Sequence, residues 1–174
     1  LEKYCMNNNI ELTIKKPVLN DNVKISSTII RSFIKNGDIN KANNFLGSTF
    51  SFNSKVVRGS GRGSELGFPT ANILPINNNQ LLPKSGVYFV KAMINGQYTF
   101  GMCNLGTRPT FNEIEFVIEV HFFDNSIESL YDEILKVEFL EWIREEVKFA
   151  DVNDLVVQLS IDKQLCLGFQ GKYE

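Results

Sequence analysis

Along the 174-residue chain the hydrophobic pattern changes character near residue 46. Upstream, apolar residues come in two short pieces, 10–14 and 23–25, then at helical spacing through Ile29, Ile30, Phe33 and Ile34. Ser26 or Ser27 stands where an N-cap belongs, and Gly37 where the helix must end. Residues 38–46 have room for a second short helix stopped by Gly47. Downstream the period becomes two. In "EFVIEVHFF" Phe116, Ile118, Val120 and Phe122 share one face, and Glu115, Val117, Glu119 and His121 share the other. "EILKVEFL" sets Leu135, Val137 and Phe139 opposite Lys136 and Glu138. Asn95-Gly96, between two β-rich runs, is a two-residue hairpin signal. "NLGTRPTF" reads as a turn between strands and "LPINNNQLLPKSG" as a surface loop. Helical spacing returns at Val152, Leu155, Val156 and Leu159, with Asp151 as the cap. Short strands parted by Gly/Pro/Asn loops, plus one terminal helix, predict an antiparallel barrel or sandwich with a helix packed on it.

Composition narrows the partners. A net charge of −2 gives no basic field for nucleic acid, and no apolar run is long enough to span a bilayer. The three cysteines, Cys5, Cys103 and Cys166, are widely spaced, and with one histidine they disfavour a structural zinc site. Free thiols and an N-terminus without signal-peptide character point to the cytoplasm, and a start at Leu1 rather than Met to a fragment.

The candidate chemistry begins at "GRGSELGFPTAN", residues 61–72. It fits neither the dinucleotide fingerprint, whose third glycine is out of place, nor the P-loop, which needs Gly-Lys-Ser/Thr. The physics of a phosphate cradle survives: Gly59, Gly61, Gly63 and Gly67 let backbone amides face an anion, and Arg62 adds charge. Pro69 biases Phe68 toward extended backbone, so Thr70 and Asn72 point the same way as hard oxygen donors suited to Mg²⁺. A flexible loop with a Thr/Asn turn explains the same spacing. Glu119 has the chemistry of a general base on a strand, and equally that of a solvated strand face. Arg144 in "EWIREEVKF" offers phosphate stabilisation or plain surface charge.

These blocks occur in order with "GVYFVKAMINGQYTFGMCNLGTRPTF", "EVHFFD", "LYDEILKVEFLEWIREEVKF" and a tail of form L-x-x-Q-L-x-x-D. Together they resemble the riboflavin kinase (flavokinase) family, especially the C-terminal module of bacterial bifunctional riboflavin kinase/FAD synthetases, over about residues 46–166. The resemblance implies a mainly β fold, a six-stranded antiparallel Greek-key barrel with a C-terminal helix. It implies transfer from ATP, with Mg²⁺, to the ribityl 5′-hydroxyl of riboflavin, giving FMN and ADP. Matched position by position, Glu119 is the base, and Ser60, Gly61, Arg62, Gly63, Leu66, Gly67, Thr70 and Asn72 form the ATP side. Thr70 and Asn72 touch the metal, and Arg144 belongs to a mobile loop near the flavin. Residues 1–45 resemble the end of the FMN adenylyltransferase module, an α/β nucleotidyltransferase remnant ahead of the kinase domain at 46–174. Ser26, Ser27, Thr28 and Arg31 match its "ISST-x-IR" segment. That module's H-x-G-H motif is absent here, so this chain is not expected to make FAD.

Overall fold

A computed structural model describes residues 1–59, 61–109, 114–124, 126–127 and 129–174, with backbone only at Arg62, Arg108, Pro109, Ile114 and Glu115. The chain opens with α1 (Glu2–Asn7) and a two-stranded hairpin, β1 (Leu19–Asn20) and β2 (Val23–Lys24). The apolar piece at 10–14 forms no element and leaves Ile10 and Ile14 exposed. Helices α2 (Ser27–Asn36) and α3 (Ile39–Leu46) follow, stopped at Gly37 and Gly47 as the sequence predicts. Ser26 caps α2 by accepting from the Ile29 amide.

Six strands then close a barrel: β3 (Ser51–Val57), β4 (Ala71–Pro75), β5 (Gly86–Ile94), β6 (Gln97–Pro109), β7 (Ile114–Phe122) and β8 (Ile134–Arg144). A short helix, α4 (Arg62–Glu65), interrupts the β3–β4 connection, and α5 (Val152–Gln170) ends the fold. The spatial order β3-β4-β7-β6-β5-β8 is a Greek key, with β5-β6-β7 as a meander and β8 returning beside β5. Asn95 and Gly96 turn the β5–β6 hairpin at φ 50° and 81°, the pair of positive values a two-residue I′ turn needs.

Of the turn expected at "NLGTRPTF", residues 104–109 are strand, and Thr110 and Phe111 lie outside the described residues. β6 leaves β5 after Leu105 but keeps pairing β7 as far as Pro109↔Ile114. Beyond Leu105 its strand neighbour among the described residues is β7 alone, and Gly106 and Pro109 cost such a one-sided ladder little.

Two cores result. Inside the barrel, Tyr88, Val90, Ala92, Cys103, Leu105, Ile118, Val120, Val137 and Phe139 pack together, joined by Ile34, Ile39 and Ala42 of α2–α3. Outside it, Phe89, Met102 and Leu140 meet Leu159, Cys166 and Phe169 of α5. β5 is therefore buried on both faces, and this is why "GVYFV" is apolar without alternation.

Strand β8 is also where the two ends of the chain meet. The Asn43 side chain donates to the Phe139 carbonyl (3.0 Å) and accepts from the Phe50 amide (2.7 Å), fastening α3 to the barrel. Glu141, buried on β8, accepts from Asn40 of α3, from Lys172 Nζ (2.5 Å) and from Tyr173 Oη (2.6 Å). Burial alone would raise its carboxyl pKa, but the bonds from Lys172, Tyr173 and Asn40 hold it below the ordinary range. A depressed folded-state value makes this contribution complete above the unfolded carboxyl pKa of about 4.3, and lost as pH falls through the folded value. The expected result is a urea midpoint that falls with acidification below about pH 5, with a shallower fall in Glu141→Gln. Parallel pH profiles in the two proteins would remove Glu141 as the source.

Candidate active site

The alternation that fills the barrel also builds the site on its outer wall. With Ile118, Val120 and Phe122 facing inward, Glu119 and His121 of β7 face out. Cross-strand register sets Glu119 between Asn72 of β4 and Asn104 of β6, so the three side chains form a row on one face. Met102 lies opposite His121 on the same face. α5 crosses in front, leaving a cavity of about 540 Å³ between helix and wall. Glu119, His121, Asn104 and Thr70 line its floor, with apolar walls from Phe68, Val87, Met102, Phe149, Leu155 and Leu159. A second cavity, about 440 Å³, lies on the other side of the Pro69–Ala71 backbone, and Tyr131, Asp124 and Ser64 are among its lining. Thr70 borders both.

The Gly-rich stretch folds over this floor. Gly61, Gly63 and Leu66 line the larger cavity, while Gly67 does not. Two glycines are there for close approach. A Cβ on Gly59 would strike the Asn72 side-chain amide, its Oδ1 at 2.8 Å; one on Gly63 would strike the Phe68 carbonyl and come within 3.1 Å of Thr70 Oγ1. The stretch therefore covers both oxygen-bearing side chains with backbone alone. Ser60, assigned to the ATP side from the sequence, lies outside the described residues.

His121 departs from the solvated face that the strand pattern gave it. It is 2% exposed, because the rings of Phe68 and Phe123 cover that side of β7. Its Nδ1 lies 2.9 Å from the Pro69 carbonyl, and Nε2 is buried without a hydrogen-bond partner among the described residues. Burial lowers its pKa, the bond to Pro69 works against that, and Lys163 adds to the lowering. Behind Glu119 on β6, burial and then Glu119's charge push the Cys103 thiol up, away from thiolate chemistry.

Arg144, expected in a loop, is the last residue of β8 and pairs Val87 of β5. Its polar context "REEVKF" hides the strand, since the pairing partner lies on a distant segment. The guanidinium donates from Nε (2.9 Å to Oδ1) and Nη2 (2.7 Å to Oδ2) to fully buried Asp162 of α5, and from Nη1 to the Glu145 carbonyl (2.8 Å). Gln158, one turn earlier on α5, donates to the same carboxylate (2.9 Å). The L-x-x-Q-L-x-x-D spacing thus seats an arginine at the cavity edge and puts Leu155 and Leu159 in its wall.

The structure brings Glu119, Thr70, Gly61, Gly63, Leu66 and Arg144 to one cavity. Asn72 lies beside it under Gly59, whereas Ser26, Ser27, Thr28 and Arg31 sit at the start of α2 and line neither cavity. Sequence reasoning missed Asn104 and Asp162. The signal for the first was an amide between two core residues, Cys103 and Leu105; for the second, an acid on a helix's apolar face. Thr70 and Asn72 fit a divalent cation in chemistry, as neutral oxygens on one face under backbone too close to admit a Cβ. Among the described residues no group of three or more His, Cys, Asp or Glu could hold a metal alone.

A closed Greek-key barrel with a carboxylate-floored cavity between its wall and one helix is the frame of a domain that handles small molecules. The riboflavin kinase (flavokinase) family pattern matches residues 46–169, and the chain belongs to that family. It is 40% identical over 155 residues to the bifunctional riboflavin kinase/FMN adenylyltransferase of Bacillus subtilis, covering 87% of this chain and 48% of the relative. The Listeria monocytogenes protein of the same name is 38% identical over 175 residues, covering 100% of this chain and 55% of the relative. The chain spans about half the length of these relatives. A crystal structure of a macrolide-efflux protein from Streptococcus pneumoniae superposes with a TM-score of 0.84 at 34% identity, over 92% of this chain and 53% of that one. No helix among the described residues is long and apolar enough to cross a membrane.

Proposed function

We propose that this chain transfers the terminal phosphoryl group of ATP to the 5′-hydroxyl of riboflavin, giving FMN and ADP. The observation that carries the reading is the meeting of Glu119, Thr70 and the Gly-rich stretch at one cavity in a member of this family. A flat, largely apolar tricycle suits the walls of Phe68, Met102, Phe149, Leu155 and Leu159, with its ribityl chain directed to Glu119. The nucleotide lies beyond Thr70, so its terminal phosphate reaches the same carboxylate across that residue.

Glu119 orients the hydroxyl and takes its proton as the O–P bond forms and the bond to ADP breaks. The Arg144 guanidinium faces the phosphoryl oxygens, while the Ser64, Leu66 and Gly67 amides are held by carbonyls of the Gly-rich stretch itself and keep its backbone folded over the floor. Among the described side chains Glu65, Glu119, Glu146 and Asp162 line the cavity with Arg144, an acidic balance that favours a cation brought in with the phosphates. Thr70 and Asn72 would hold Mg²⁺, which when bound neutralises phosphate charge. Little covalent work falls to the protein, and positioning dominates.

Residues 46–174 form the kinase domain in this reading, and residues 1–45, whose α2–α3 pair packs on the barrel, end an adenylyltransferase domain. Ser26, Ser27, Thr28 and Arg31 belong to that second activity, named in the longer relatives. Three free, buried cysteines suit the cytoplasm.

The test is incubation with ATP, Mg²⁺ and riboflavin followed by chromatography for FMN. FMN formation that stops with EDTA is expected; tight flavin binding without FMN would leave only a binding module. Thr70→Ala and Asn72→Ala should each raise KM for Mg·ATP about tenfold or more, the loss of a charge-assisted contact. Riboflavin affinity, read by flavin fluorescence, should stay within about twofold. Equal loss for both ligands would indicate misfolding instead.

A further inference from the structure

We propose that His121 is a positioning residue for the Thr70 segment, its imidazole continuing the β4–β7 sheet by one hydrogen bond where backbone cannot. The β4–β7 ladder consists of Ala71↔Val120 and Asn72↔Glu119. Extended by one residue, this register sets Thr70 opposite His121, but the segment ahead of Thr70 is Phe68-Pro69, and proline has no N–H to give a ladder. The Pro69 carbonyl goes instead to His121 Nδ1 at 2.9 Å. A carbonyl only accepts, so Nδ1 carries the hydrogen and Nε2 the lone pair.

Three observations separate this bond from ordinary core packing. Nε2 is buried without a partner among the described residues, a cost that an apolar ring of similar size would avoid. Phe68, at 5.3 Å, and Phe123, at 5.9 Å, meet the ring edge-on and fix its plane, so Nδ1 is aimed rather than free to turn. The held carbonyl also sits between the two features that cover the floor. On one side Phe68 N donates to the Gly63 carbonyl (2.8 Å), tying the Gly-rich stretch to the same segment; on the other stands Thr70. His121 thereby sets where Thr70 Oγ1 stands relative to Glu119, two residues away on its own strand. It touches no reacting atom.

This inference rests on the reading of Thr70 as an Mg·ATP contact, and the experiment keeps the two apart. His121 is the chain's only histidine, so a long-range ¹H–¹⁵N spectrum reports its tautomer without ambiguity. The Nδ1–H tautomer is expected, with no substrate present. His121→Phe, which keeps the ring and removes the donor, should raise KM for Mg·ATP about five- to tenfold, the worth of one hydrogen bond, with riboflavin affinity within about twofold. His121→Asn, whose Nδ2 is as many bonds from Cα as Nδ1, should restore KM to within about threefold of the parent. An Nε2–H tautomer, equal weakening of both ligands, or an asparagine variant as poor as the phenylalanine one overturns the proposal. Thr70→Ala, measured alongside, assigns a failure. A raised KM there with a normal one in His121→Phe sinks the role of His121, whereas an unchanged KM in Thr70→Ala sinks the Thr70 reading.

Discussion

Glu119→Gln should lower turnover about a hundredfold or more while riboflavin affinity stays within about twofold, since a positioned general base contributes roughly 10²–10⁴. Glutamine has the same shape and can still orient a hydroxyl, but its amide cannot take the proton. The geometry keeps the comparison clean. Glu119 is held in mid-strand between Asn72 and Asn104, with Val120 behind it in the core, so the change alters chemistry more than position. A quenched single-turnover measurement, with enzyme in excess over riboflavin, separates this step from product release. Near-normal turnover would remove Glu119 as base and leave the phosphate side to supply the catalysis.

How much of this was legible in the sequence depends on the range of the signal. The α2 cap at Ser26, the hairpin at Asn95-Gly96, the inward faces of β7 from Ile118 onward and of β8, and the Asp151 cap of α5 are local, and each stands where the pattern put it, whereas Phe116 is exposed. The Greek key entered through family resemblance, because strand order is a long-range property that alternation leaves open. What stayed hidden is the meaning of the outward faces. Alternation says which side chains leave the core, not whether water or a helix meets them. The rings of Phe68 and Phe123 turn His121 from a solvated residue into a buried one, and α3 together with Lys172 and Tyr173 does the same to Glu141. Arg144 was misplaced for a related reason: its strand partner, Val87, is far away in sequence. The candidate site was visible as an ordered set of motifs, but its supports, Asn104, Gln158 and Asp162, required the packed helix and the ladder register to emerge.

Arg144→Ala should cost about 3 kcal/mol of stability, because it strands a buried carboxylate, and breaking one partner of a buried pair costs about 3–5 kcal/mol. Asp162 is 0% exposed, and without the arginine its remaining hydrogen-bond partner among the described residues is the amide of Gln158. For a chain of this size such a loss is a fall in Tm of roughly 10 °C. Arg144→Lys should recover part of it, restoring charge but not the fork that meets both carboxylate oxygens. The informative variant is the double one, Arg144→Met with Asp162→Leu. Replacing a buried pair by apolar side chains of similar volume is often neutral or stabilising, so most of the lost Tm should return. FMN formation should not return with it, because the cavity then lacks the Arg144 charge that faces Glu65, Glu119 and Glu146. Stability would then recover while turnover stays lost, which separates a site arginine from a structural one. An Arg144→Ala protein that melts within about 2 °C of the parent would mean that the β8–α5 clamp adds little to the fold. A double variant that regains turnover along with its Tm would mean that Arg144 serves packing alone.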